Sequence, residues 1–359
     1  MRKLTWLLIG YILLQTGCSM VNPEPVSFVH QDEFIKGDGF MVLADRREFA
    51  VMAFLNAVGY DDEVKGQQMH PVRLKVRQLV AANLAEYPDK VKAWRKYYNN
   101  LVRKNMQIFC FQDFALSLSS DYPFKRIRPD KELGYSHTTS VLKDFPEVLN
   151  DFWETAKLDK VWEQVKPDYI GEIQKYDFNK MQKQMTFLCD YLRMPRHDTL
   201  ILVNVPNLLE SYYSGIGAQY ENYYYTVESP GSHAYDLNIH EYLHSIVNPI
   251  VEANYSHYKK KLLKYYKAGK NEPLSKSYQN PACFTWECMV RALDRRISIR
   301  FEDDPNWTEI REGQVISDTK EGLNLTQPLY ELLAEYEQSS KPFDQFFPTM
   351  LERLPEYSQ

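Results

Sequence analysis

Cysteine is scarce in this chain: the 359 residues hold 5, and none shows the Cys-x-x-Cys spacing of a thiolate zinc knuckle. A basic surplus is missing as well. With 43 Lys and Arg against 48 Asp and Glu, a formal net charge of -5 and a pI near 6.0, the composition argues against a dedicated nucleic-acid binder. No block of like charge suggests a charged partner, and the one clear basic run, Lys259-Lys260-Lys261, reads as the solvated face of a helix. Neither an internal repeat nor a low-complexity linker divides the sequence, so one α-rich domain is the simplest account. What is present is ordinary for a globular protein: 44% hydrophobic and 25% charged residues, enough to bury a substantial core.

Residues 1–17 read as a targeting segment and are set apart from the fold, which leaves 18–359 as the mature domain. Arg2 and Lys3 form a charged start, 4–14 is an apolar stretch too short to span a bilayer comfortably, and Gln15-Thr16-Gly17-Cys18 is a small-residue exit. This arrangement resembles a bacterial lipoprotein signal. The resemblance implies cleavage before Cys18, lipidation of that cysteine, and an exported protein anchored to a membrane of the cell envelope; simple secretion or an uncleaved anchor is the alternative. In an oxidising compartment Cys110, Cys189, Cys283 and Cys288 could form disulfides. Cys110 and Cys189 lie in apolar contexts and read as buried free thiols.

The richest signal is His240-Glu241-Tyr242-Leu243-His244. On a helix this HExxH stretch sets two imidazoles one turn apart, where both can grip one Zn²⁺ ion, while Glu241 stays free to take a proton from a metal-bound water. Tyr235, Ile239, Leu243, Ile246 and Val247 supply an apolar stripe at spacings of three and four, and Asn248-Pro249 gives a stop, so a helix of about four turns is expected. The ordinary alternative is two core-facing histidines that satisfy backbone carbonyls.

Apolar spacings of three and four also predict helices over 48–55, 72–84, 91–106 and 148–192, the last broken at Pro167, with two packing helices at 329–336 and 343–354. Strand signals occur at 40–43, at 199–205 between Pro195 and Pro206, and at 220–227. Turn residues 229–232 then lead into the HExxH helix. The expected fold class is therefore α+β: a mostly helical domain, helical to about residue 195, with a small sheet beside the HExxH helix and the metal site within 196–302.

Two histidines do not close a zinc site, which takes three protein ligands and leaves a fourth position open. A metzincin-type third histidine needs a Gly turn soon after His244, and none is there. Glu252 would require the chain to double back after Pro249, and His257 begins a Lys- and Tyr-rich stretch that reads as solvated. Glu287 fits better, on a predicted helix with Trp286, Met289, Val290, Leu293 and Ile297 along an apolar flank. Its alternative role is an ion pair with Arg291 four residues on.

Strand, strand, turn and HExxH helix, followed by a second helix donating one Glu, resembles the gluzincin branch of the zincin metallopeptidases. Together with the HEYLHSIVNP and Trp-Glu-x-x-x-Arg-Ala stretches it also resembles a family of exported bacterial HExxH lipoproteins whose activity is inferred from that motif. The resemblance implies Zn²⁺ on His240, His244 and Glu287, Glu241 as general base, and a peptide or protein substrate. It further implies that the strand around Tyr223-Tyr224-Tyr225 could pair with an extended substrate, where a plain aromatic sheet explains the same tyrosines. Tyr278, His233 and Arg291 are open candidates for stabilising an oxyanion. The competing expectations are a non-catalytic exported lipoprotein that binds peptide or glycan, and a zinc hydrolase of a non-peptide amide.

Overall fold

The computed structural model describes residues 34–37, 39–60, 69–104, 106–128, 138–195, 200–210, 215–231, 235–278, 280–302 and 304–357. The targeting segment and Cys18 lie outside the described residues. Along the chain run β1 (Phe34–Gly37), β2 (Phe40–Leu43), α1 (Arg46–Val58), α2 (Pro71–Leu84), α3 (Pro88–Val102), α4 (Ile108–Leu116), α5 (Thr138–Val141), α6 (Phe145–Thr155), α7 (Leu158–Ile173) and α8 (Phe178–Leu192). They are followed by β3 (Ile201–Pro206), β4 (Gly215–Tyr220), β5 (Tyr223–Glu228), α9 (Tyr235–Gly269), α10 (Pro281–Glu302), α11 (Pro305–Lys320), α12 (Thr326–Gln338) and α13 (Phe343–Arg353). The chain is thus mostly helical with one small sheet, an α+β arrangement. No helix among the described residues is long and apolar enough to cross a membrane.

Local chemistry sets many of the helix starts. Asp45 caps α1 by accepting from the Arg47 amide at 2.8 Å, and Asp304 caps α11 by accepting from Asn306 at 2.9 Å. Prolines occupy the first turn of α2, α3, α6 and α11, where their missing N–H costs nothing. The amino-terminal helices then pack through edge-on aromatic pairs, among them Phe54 with Phe145 at 5.5 Å and Trp94 with Phe152 at 5.3 Å.

The sheet has five strands in the order β1-β2-β3-β5-β4. β2, β3 and β5 run parallel, and the outer strands β1 and β4 pair antiparallel. Register puts Asn204 opposite Thr226 and Gly217 opposite Thr226, so Leu202, Asn204, Gly217, Tyr224 and Thr226 share one face. That face meets α9. The opposite face carries Val203, Val205, Tyr220 and Tyr225 toward α1 and α4, where the Tyr220 hydroxyl donates to the Asp113 carbonyl at 2.9 Å and the Arg47 guanidinium lies over the Tyr225 ring.

Three expectations change. The break expected at Pro167 does not occur: Pro167 sits on the exposed side of α7, whose buried side chains Trp162, Val165, Tyr169 and Ile173 hold the rod in place. The chain turns instead at Lys157, which takes a left-handed φ of 53°, and again after α7. The HExxH helix does not stop at Pro249 either. α9 runs on to Gly269, 35 residues in all, because Pro249 is exposed while Val247, Val251, Leu262 and Tyr265 carry one buried stripe past it. Packing outweighs the lost backbone hydrogen bond. Lys259 and Lys260 are exposed as expected, whereas Lys261 donates to the carbonyls of Leu351, Glu352 and Leu354 at the end of α13. Finally, β4 is a strand that the residue pattern did not announce, since Gly215 and Gly217 are poor strand formers.

Among the described residues Cys110, Cys189, Cys283 and Cys288 form no disulfide; Cys110 is buried as expected, whereas Cys189 is only half-buried.

Behind the sheet, Glu210 is fully buried and accepts from Gln112 Nε2 at 2.6 Å. Burial pushes its carboxyl up to about 8, against the pull of that hydrogen bond and of Arg73. The folded chain therefore keeps a proton that the unfolded chain loses near its ordinary value of 4.5. The resulting stability is present below that value and drains away as pH rises toward about 8. Urea midpoints measured across this window are expected to fall, and Glu210→Gln is expected to flatten the slope and stabilise the protein at the alkaline end. An unchanged slope in the variant would show that Glu210 is not the group responsible.

Candidate metal centre

Buried Ile239, Leu243 and Val247 anchor α9 on one side, and this fixes which way the intervening side chains point. His240 and His244 emerge together, with ring centroids 5.1 Å apart and planes at 74°. Across from them lies α10, packed along α9, with the buried Phe284 ring edge-on to Tyr266 of α9 at 5.6 Å. It presents Glu287, which is 5% exposed. Glu287 Oε1 stands 3.8 Å from His240 Nε2, and Oε2 stands 3.5 Å from His244 Nε2.

The structure therefore brings together the three residues expected to bind metal. One ligand atom from each of His240, His244 and Glu287 lies within 4.8 Å of the others, a group that could hold a metal ion. The histidine side chains keep 16% and 17% of their surface exposed, so the group is reachable from solvent. Glu252 and His257 are exposed further along α9 and take no part. A cavity of about 690 Å³ between α1, α2 and α3 lies elsewhere and is lined by Leu74, Val80, Leu84 and Val91.

Outer contacts orient each ligand. Nδ1 of His244 is 3.1 Å from Asn248 Oδ1, and Nδ1 of His240 is at an ion-pair distance of 3.7 Å from buried Asp294. Such partners fix ring orientation and tautomer. The ion pair between Glu287 and Arg291 also exists, at 2.5 Å, but it is buried rather than a surface pair. It occupies Oε1 and leaves Oε2 toward His244.

Charge explains the titration of these groups. Burial alone would raise the Glu287 carboxyl, yet the hydrogen bond with His244 and the charges of His240 and Arg291 hold it well below the usual carboxylate range. Burial lowers His244, but the hydrogen bond and charge of Glu287, with Glu241 and Asn248 behind them, push it up to about 9. A metal ion held by His244 would have to displace this proton, so uptake there would release one.

Glu241 points elsewhere. It is half-buried against the sheet, where the Tyr224 hydroxyl donates to its Oε2 at 3.3 Å. A Cβ on Gly217 would overlap that oxygen, so only glycine leaves room for the carboxylate beside β4. Tyr224 is therefore on an interior strand: β5 pairs with both β3 and β4, and the edge next to the site is β4, not the stretch around Tyr223-Tyr224-Tyr225.

Of the three oxyanion candidates, Arg291 is tied to Glu287 and Asp318, and Tyr278 hydrogen-bonds at Glu287 and Arg291, its hydroxyl raised by burial and by the Glu287 charge. His233 lies outside the described residues. Sequence reasoning missed Gly217, Tyr224, Asn248, Asp294 and Asp318. Two of these were within reach, since Asn248 follows His244 by one turn and Asp294 follows Glu287 by two turns of the same helix.

No family model matches the chain, nor does any curated protein or solved structure.

Gly217→Ala is expected to displace the Glu241 carboxylate and the Tyr224 hydroxyl with only a small loss of stability, because the added methyl group meets nothing but the ends of those two flexible side chains. Combining it with Glu241→Ala should recover part of that loss in a urea double-mutant cycle. Strict additivity would mean the two positions do not meet.

Proposed function

We propose that the protein is a zinc-dependent hydrolase of zincin-like, gluzincin-like type, in the simplest case a peptidase. The observation that carries this reading is the convergence of His240, His244 and Glu287 with Glu241 set aside from them. Ligand atoms about 2.0–2.1 Å from a tetrahedral zinc lie roughly 3.3 Å from one another. His244 Nε2 lies 3.5 Å from Glu287 Oε2 and His240 Nε2 lies 3.8 Å from the other oxygen, Oε1, while one ligand atom from each residue lies within 4.8 Å of the others, so a small side-chain shift would bring the set to that spacing. Two imidazoles with one carboxylate is also a donor set suited to zinc, with a fourth position for solvent.

When bound, zinc supplies Lewis acidity and brings the pKa of a coordinated water to about 7. The chain's own residues do the rest. Glu241 accepts the proton at its carboxylate and returns it to the leaving nitrogen; the Tyr224 hydroxyl and the Gly217 notch keep that carboxylate at one place. Asn248 and Asp294 hold the imidazoles by their far nitrogens. Because β4 has no strand partner on its outer side among the described residues and runs beside Glu241, an extended peptide could add to it, which favours a peptide over another amide. The substrate on this reading is a peptide or protein, met by an exported enzyme held at a membrane through lipidated Cys18.

Purified protein is expected to carry stoichiometric zinc by elemental analysis, and the His240→Ala, His244→Ala double variant to carry none. Glu241→Gln should keep its metal while cleavage of a peptide library falls by roughly 10²–10⁴-fold. Protein that takes up no zinc would instead favour a non-catalytic lipoprotein that binds peptide or glycan.

A further inference from the structure

The metal ligands are members of a larger closed circuit of charges. Starting at His240, Nδ1 faces Asp294 at 3.7 Å, and Asp294 pairs with Arg295. Arg295 Nη2 reaches Asp318 Oδ2 at 3.6 Å, and Asp318 Oδ1 receives Arg291 Nη1 at 2.7 Å. Arg291 Nε then holds Glu287 Oε1 at 2.5 Å, and Glu287 returns to His240 at 3.8 Å. Acidic and basic groups alternate around the circuit, and Glu287, Asp294, Arg295 and Asp318 are all buried.

One member differs in origin from the rest. The histidines stand on α9, and Glu287, Arg291, Asp294 and Arg295 stand on α10, but Asp318 comes from α11. Its Oδ1 accepts a hydrogen bond from Arg291, and its Oδ2 lies at ion-pair distance from Arg295 one turn further along α10. Arg291 leads from it to Glu287, the third ligand; Arg295 leads from it through Asp294 to His240, the first. Without this carboxylate, one buried and one partly buried guanidinium group would compete for Glu287 and Asp294, and each ligand's outer partner would lose its fixed position.

We propose that Asp318 is a positioning residue for the metal centre, setting Glu287 and His240 relative to each other through Arg291 and Arg295. The proposal rests on the reading of His240, His244 and Glu287 as a metal site. It also makes α11, which contributes no ligand, a determinant of metal affinity.

Zinc affinity measured by competition with a chromophoric chelator tests this, together with the visible absorption of the Co²⁺-loaded protein. Asp318→Asn is expected to weaken zinc binding about 10–100-fold and to shift the cobalt bands, and Asp318→Glu to restore part of the loss. Arg291→Lys keeps the charge but cannot fork between Glu287 and Asp318; it should weaken binding similarly, and it carries the test should Asp318→Asn fail to fold. The control is Glu337→Gln, which removes a carboxylate that receives Arg296 at 2.8 Å and Arg300 from the same helix α10, outside the circuit. It should leave zinc affinity and cobalt bands unchanged. If the wild type binds one zinc and Asp318→Asn or Arg291→Lys binds it equally well, the positioning role is overturned and the metal site stands. Equal weakening in Glu337→Gln would overturn it too, by tracing the effect to α10 at large. A wild type that binds no zinc would sink the metal site and the inference with it.

Discussion

Everything at the candidate site depends on one packing contact, that of α9 against α10. The two histidines come from a single helix, and any regular helix would hold them at this spacing. Glu287 is different, because it meets them only if the second helix lies at one distance and one rotation. Phe284, fully buried with its ring edge-on to Tyr266 of α9, helps to set that rotation, and buried Ile239, Leu243 and Val247 fix the first helix. The close-packed core therefore determines the geometry of a polar site, and loss of a core methyl group several ångströms away would be felt as a displaced ligand.

That contact has an electrostatic cost. A carboxylate as buried as Glu287 loses its hydration, and with no partner the penalty would be several kcal/mol. His240, His244 and Arg291 supply the compensating positive charge, which is why Glu287 stays ionised instead of taking up a proton. Arg291 in turn is largely withdrawn from water and pairs with Asp318. Each charge taken from water calls for another, and the sequence of such demands ends only when the circuit closes on itself. A buried network of this kind is weak evidence for stability but fixes geometry closely, since no member can move without leaving a neighbour unpaired.

How far the residues announced this outcome can be judged element by element. The helical classes of α1, α2 and α10 were legible because their apolar spacing is regular and their ends carry capping residues or prolines. The ends of α7 and α9 were not. Pro167 and Pro249 signal breaks locally, and both lie on exposed sides of helices whose buried stripes run on; a one-dimensional pattern cannot weigh that tertiary gain against one missing hydrogen bond. His240, His244 and Glu287 were legible because the chemistry of a metal site restricts residue types. Asp318 was not, because its only signature is a partner on another helix.

β4 shows why the least legible element is informative. Gly215-Ile216-Gly217-Ala218 has the composition of a loop, and by propensity alone it is a poor strand. The register with β5 places Gly217 where Glu241 Oε2 and the Tyr224 hydroxyl approach the backbone, and any side chain there would expel the carboxylate. Glycine is thus present for the sake of a residue on another element. That arrangement also separates the two carboxylates by role. Glu287 is buried among cations and faces the histidines, whereas Glu241, one residue from His240, is drawn the other way by a neutral hydroxyl and the notch beside β4. A ligand must stay put while its charge is neutralised, and a proton acceptor must keep a lone pair free beside the ion. The sheet, by holding Glu241 off the histidines, keeps the carboxylate on α9 apart from the one on α10, as the proposed division into proton acceptor and ligand requires.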